Sequence, residues 1–129
     1  MKKILIADDE PHVLRVLKMS LEKEDYEVEV ANNGMEALVK IEQQAPDILI
    51  TDIQMPLMTG EELCQHIEEY MPERNFLIFV LTSRTEIEHR EWSRNINNLL
   101  FLEKPVSIRN LVEKLEGYFS GSTDSWKVG

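Results

Sequence analysis

Apolar positions along this chain follow two rhythms: short unbroken runs, and stripes spaced three and four residues apart. Residues 3–7 read KILIA, 76–81 read FLIFVL, and Ile48-Leu49-Ile50 is another such run. Runs without polar alternation suit strands buried on both faces, the habit of parallel sheets. Residues 26–31 alternate instead, with Tyr26, Val28 and Val30 on one side. Leu99 to Leu102 makes a fifth, shorter strand.

Helical stripes lie between the runs. Pro11 opens the first helix at a position where its missing N–H is harmless. Val13, Leu14, Leu17 and Leu21 then share one face. Asn33 caps a second helix with Ala37, Leu38 and Ile41 inward. Thr59 and Glu62 spell a capping box for a third, which shows Leu63, Ile67 and Met71 before Pro72 stops it. Segment 84–96 is predicted helical, but Ile87, Trp92 and Ile96 make a ragged face among many charges. Ser107 caps the last helix, where Ile108, Leu111, Val112, Leu115 and Phe119 form the cleanest stripe. Five strands alternating with five helices predict an α/β fold, a parallel sheet with helices on both faces.

The stretch 47–60, DILITDIQMPLMTG, organises the rest. Its apolar run ends at Asp52, so a carboxylate stands where a central strand emerges. In open α/β sheets, ligands gather at the carboxyl ends of strands.

Composition narrows the function. The chain has 129 residues, enough for one domain with a sizeable core. We expect that domain over 1–119, with 120–129 a polar tail or linker stump carrying Trp126 and Val128. The 14 basic and 24 acidic residues leave a net charge of -10. That disfavours nonspecific nucleic-acid or anionic-membrane binding, because phosphate backbones reward Lys and Arg. The single cysteine, Cys64, permits no internal disulfide, suits a reducing cytoplasm and reads as a small buried hydrophobe. No apolar run approaches membrane-spanning length, and MKKILIADDE turns acidic too soon for a signal peptide.

Other strand ends carry chemistry too. The first gives Asp8 and Asp9, the fourth Thr82, and the fifth Lys104. In a parallel sheet these share one edge with Asp52. Taken singly, each has a bland account as a loop charge or a cap. Together they make a site. Carboxylates brought close repel one another and call for a cation, and hard oxygen ligands suit Mg²⁺. A lysine and a hydroxyl opposite suit the oxygens of a phosphoryl group. Aspartate is an established nucleophile for phosphoryl groups, and phosphoryl transfer relies on positioning and charge neutralisation.

The motifs ILIADDE, DILITDIQMPLMTG, VLTS and FLEKP, in this order, resemble those of the receiver domain of two-component response regulators. The likeness covers about residues 2–119. It implies a flavodoxin-like, doubly wound (βα)5 fold with strand order 2-1-3-4-5. It implies a phosphorelay switch rather than an enzyme acting on others, one that assists its own phosphorylation and dephosphorylation. By motif, Asp52 resembles the phosphoacceptor, which takes its phosphoryl group from a phosphohistidine on a histidine kinase or phosphotransfer protein. Asp9, Asp52 and the backbone carbonyl of Gln54 resemble the ligands of Mg²⁺ (or Mn²⁺), with Asp8 acting through water. Lys104 resembles the lysine on the phosphoryl oxygens, and its bond to Pro105 is expected to be cis. Thr82 and Phe101 resemble the switch pair that reshapes a protein-binding face over 84–119. Gln54 and Arg84 match the positions that tune phosphoryl lifetime. A downstream protein or an output domain, and a phosphorylation-dependent homodimer, complete the implied partners.

The chain departs from the family's commonest pattern beside the switch. Ser83 stands where alanine is usual, and Asn97-Asn98 where Gly-Ala is frequent. A flavin-binding fold-mate would need a Gly/Ser/Thr-rich cradle after the first strand, where this chain has Asp8-Asp9-Glu10. An aspartyl phosphatase would want an acid where Gln54 stands.

Overall fold

A computed structural model describes residues 1–121. The expected Trp126 and Val128 of the tail lie outside the described residues. Five strands, β1 (Lys3–Ala7), β2 (Glu27–Ala31), β3 (Ile48–Asp52), β4 (Leu77–Thr82) and β5 (Leu99–Glu103), form one sheet in the order β2-β1-β3-β4-β5. Every pairing is parallel. This is the flavodoxin-like topology.

The connections are α1 (Pro11–Glu22), α2 (Gly34–Gln43), α3 (Gly60–Tyr70), α4 (Arg84–Ile87) and α5 (Ile108–Phe119). Strand side chains alternate between two cores. Ile4, Ile6, Ile48, Ile50 and Phe79 face α1 and α5, where Leu14, Leu17, Leu21, Leu111 and Leu115 are buried. Leu5, Ala7, Leu49, Ile78 and Val80 face α2 and α3, where Ala37, Leu38, Ile41, Leu63, Cys64 and Ile67 are buried. The central strands β1, β3 and β4 are buried along their whole lengths, which explains their unbroken apolar runs. Burial also pushes the Cys64 thiol up to about 12, as an inert core residue requires.

Several boundaries differ from the sequence reading. Tyr26 precedes β2 and packs on Phe119 at 5.7 Å. β4 runs from Leu77 to Thr82, so Phe76 precedes it. Segment 84–96 is not one helix but the four-residue α4 followed by a 3-10 turn over Arg90–Ser93. Its apolar residues stand five and then four apart, so no 3.6-residue face persists. Trp92 reaches the core beside Phe101 from that 3-10 turn, and Ile96 from the loop after it. Asn98 then adopts φ 58, a left-handed conformation that Asn tolerates better than most residues. Its side-chain amide donates to the Phe76 carbonyl at 3.0 Å, tying the entry to β5 onto the entry to β4.

Candidate functional site

The parallel sheet delivers its chemistry to one edge. Asp8 follows β1, Asp52 ends β3, Thr82 ends β4, and Lys104 follows β5. The Lys104 amide donates to the Thr82 carbonyl at 2.7 Å, which fixes the lysine's backbone beside the end of β4. The Lys104–Pro105 peptide is cis.

Asp8, Asp9 and Asp52 each place a carboxylate oxygen within 4.8 Å of the other two. Asp8 and Asp52 are buried, and Asp9 is exposed. Burial raises the Asp8 carboxyl above its ordinary range, the Glu10 amide at 2.9 Å opposes that rise, and the charges of Asp52, Glu10 and Asp9 add to it. An all-oxygen donor set under this repulsion fits a hard divalent cation such as Mg²⁺.

Lys104 answers from the other side. Its ammonium lies 2.9 Å from Asp52 Oδ1, which also accepts the Ile53 amide at 2.8 Å. Burial alone would lower the Lys104 pKa. The hydrogen bond and charge of Asp52, with Glu86 and Asp8 beyond, outweigh that effect and raise it.

The remaining predicted residues stand on β4, on β5 and in the segments that follow β3 and β4. Thr82 is fully buried, and its hydroxyl donates to the Ser83 carbonyl at 3.0 Å. Phe101 is half-buried and meets Trp92 edge to face, with centroids 5.8 Å apart. Gln54 is exposed in the loop after β3. Arg84 points outward, 87% exposed, with Nε 3.7 Å from a Glu103 carboxylate oxygen.

Some features escaped the sequence reading. Ser83, noted only as a departure, caps α4 in a full capping box with Glu86. The S-x-x-E signal was present. Glu103 as a partner of Arg84 had no sequence signal. It follows from the register that sets Thr82 beside Glu103.

Comparison with known proteins settles the family. The response regulator receiver domain family matches residues 4–116. This chain belongs to that family.

Among solved structures, a CheY-like receiver domain protein from Methanospirillum hungatei is 33% identical, with a TM-score of 0.83 over 94% of this chain and 95% of its own. The response regulator TrrA of Thermotoga maritima, solved in complex with Mg(2+)-BeF, is 33% identical, with a TM-score of 0.77 over 90% of this chain and 97% of its own. The transcriptional regulatory protein TrcR of Mycobacterium tuberculosis is 32% identical over 94% of this chain and 46% of its own length. The chain spans about half the length of the curated relatives it matches. Receiver domains accept a phosphoryl group and signal by it, and they bind Mg²⁺ at an acidic pocket. Among the described residues, no helix is long and apolar enough to cross a membrane.

Proposed function

We propose that Asp52 accepts a phosphoryl group from a phosphohistidine of a histidine kinase or phosphotransfer protein, in a Mg²⁺-dependent reaction. One observation carries the reading: Asp52 lies in an acid cluster with Asp8 and Asp9 while Lys104 holds its Oδ1 at 2.9 Å. A carboxylate oxygen of Asp52 attacks phosphorus in line, the P–N bond breaks with its electron pair going to the ring nitrogen, and the imidazole, already protonated on its other nitrogen, leaves neutral. Asp9, Asp52 and the Gln54 carbonyl would hold Mg²⁺, with Asp8 acting through water. When bound, Mg²⁺ neutralises charge on the phosphoryl oxygens. Lys104 moves its ammonium from the carboxylate to a phosphoryl oxygen, so no new cation has to be buried.

The Thr82 hydroxyl gives up the Ser83 carbonyl and donates to the phosphoryl group. Phe101 turns into the space released and loosens its contact with Trp92. The face over 84–119 then changes shape and selects its partner, a downstream protein or an attached output domain. The reading predicts uptake of one phosphoryl group from acetyl phosphate with Mg²⁺ and none in chelator. Equal uptake in chelator contradicts it.

A further inference from the structure

We propose that Thr51 and Gly60 are positioning residues for the acceptor, acting through the Asp52–Ile53 peptide; this rests on the reading of Asp52 above. One peptide plane carries the argument. Its N–H, that of Ile53, donates to Asp52 Oδ1 at 2.8 Å. Its carbonyl, that of Asp52, accepts the Thr51 hydroxyl at 2.9 Å. Thr51 is fully buried, so this bond is made out of reach of water. The same carbonyl lies against Gly60. A Cβ at Gly60 would stand 2.0 Å from the carbonyl oxygen and 3.0 Å from its carbon. The plane that aims the carboxylate is therefore held by a hydroxyl and by a neighbour without a side chain.

Neither neighbour has slack. Gly60 opens α3, which is fixed by the Thr59–Glu62 capping box and by fully buried Leu63, Cys64 and Ile67. The Gly60 amide donates to the Ile53 carbonyl at 2.7 Å, closing the loop between β3 and α3. Inside that loop Leu57 adopts φ 68, and the Met58 amide donates to the Pro56 carbonyl at 2.7 Å. This γ-turn is costly for a leucine. The Met58 carbonyl accepts the Gly34 amide at 3.1 Å, where a Cβ on Gly34 would come within 2.2 Å of it. A loop strained at its centre and pinned at both ends cannot absorb a displacement at Gly60. The displacement passes to the 52–53 peptide, lifts the Ile53 N–H from Oδ1, and turns the carboxylate. Transfer chemistry is sensitive to misplacements of this size.

The test measures Mg²⁺ affinity by amide chemical shifts, and the initial rate with acetyl phosphate, in Thr51→Val and Gly60→Ala. Thr51→Val keeps a β-branched shape suited to a buried strand and removes only the hydroxyl. Both variants are expected to bind Mg²⁺ more weakly and react more slowly, Gly60→Ala by about tenfold and Thr51→Val by several-fold. The Ile53 amide proton should move upfield as its bond to Oδ1 lengthens. Leu21→Ala opens a cavity under α1, in the core on the other face of the sheet from Gly60; it should lower stability yet keep the wild-type affinity. If Gly60→Ala does not fold, Thr51→Val decides. Wild-type affinity, rate and Ile53 shift in Thr51→Val overturn the proposal when Asp52→Asn takes up no phosphate. Uptake by Asp52→Asn equal to wild type overturns the acceptor reading beneath it.

Discussion

Lys104 and Asp52 are 52 positions apart in sequence, yet the ammonium of one lies 2.9 Å from the carboxylate of the other. The contact places a permanent cation on the very group expected to bind Mg²⁺ and to attack phosphorus. On the proposed reading, Lys104 competes with the metal in the resting protein and becomes a ligand of the phosphoryl group afterwards.

Removing the competitor separates these roles. Lys104→Ala should bind Mg²⁺ at least as tightly as wild type, whereas Asp9→Ala loses a ligand and should bind it about tenfold or more weakly. The rate with acetyl phosphate should fall in both. A titration followed by amide shifts checks this, and equal affinities in the two variants would contradict the ligand assignment.

Asp8 makes stability depend on pH. Its carboxyl is raised in the folded protein, above the 3.8 of an ordinary aspartate, by burial first and by neighbouring acids next. The folded state therefore holds that proton more tightly than the unfolded chain. Without metal, Asp8 should stabilise the protein progressively as pH falls from neutral through the raised value toward 3.8. Saturating Mg²⁺ should cancel this gain, because the cation favours the charged form. Asp8→Asn should flatten the dependence and raise the melting temperature at neutral pH. Thermal melts with and without Mg²⁺ measure both, and identical pH profiles for wild type and variant would count against the argument.

The Trp92–Phe101 contact provides a readout of the switch. In a Trp126→Phe background, Trp92 is the remaining tryptophan of the two. Phosphorylation should change its emission as Phe101 turns inward. Thr82→Ala should accept phosphate but give a smaller change, since the hydroxyl no longer draws the loop after β4. A full-sized change in Thr82→Ala would uncouple Thr82 from Phe101.

Arg84 is proposed to tune the lifetime of the phosphorylated state. It stands two residues after Thr82, 87% exposed, 3.7 Å from Glu103. An exposed pair of this kind is weak and easily exchanged. A guanidinium released from Glu103 can fork onto phosphoryl oxygens and shield them from water. Arg84→Ala should shorten the half-life several-fold, equivalent to about 1 kcal/mol of barrier, and Glu103→Gln should lengthen it. An unchanged half-life in Arg84→Ala would show that the side chain stays in solvent.

Much of this architecture was legible in the sequence because burial dictates its pattern. Ile48-Leu49-Ile50 could be read as a central strand, since both of its faces are covered and no polar position interrupts it. Asp8, Asp52, Thr82 and Lys104 then fell on one edge by topology alone. Segment 84–96 was not legible, because Trp92 and Ile96 reach the core from a 3-10 turn and the loop after it and leave no periodic trace. The need for glycine at positions 34 and 60 was not legible either. What requires them is a carbonyl brought near by the fold, and nothing adjacent in sequence announces it. The Ser83–Glu86 cap, by contrast, carried the same signal as Thr59–Glu62.

The central claim is that Asp52 is the phosphoacceptor. Intact mass spectrometry of wild type and Asp52→Asn, each incubated with acetyl phosphate and Mg²⁺ and matched against chelator, tests it most directly. The expected result is one added phosphoryl group on wild type with Mg²⁺ and none on Asp52→Asn under either condition. Equal incorporation into Asp52→Asn would place the phosphoryl group elsewhere and contradict the claim.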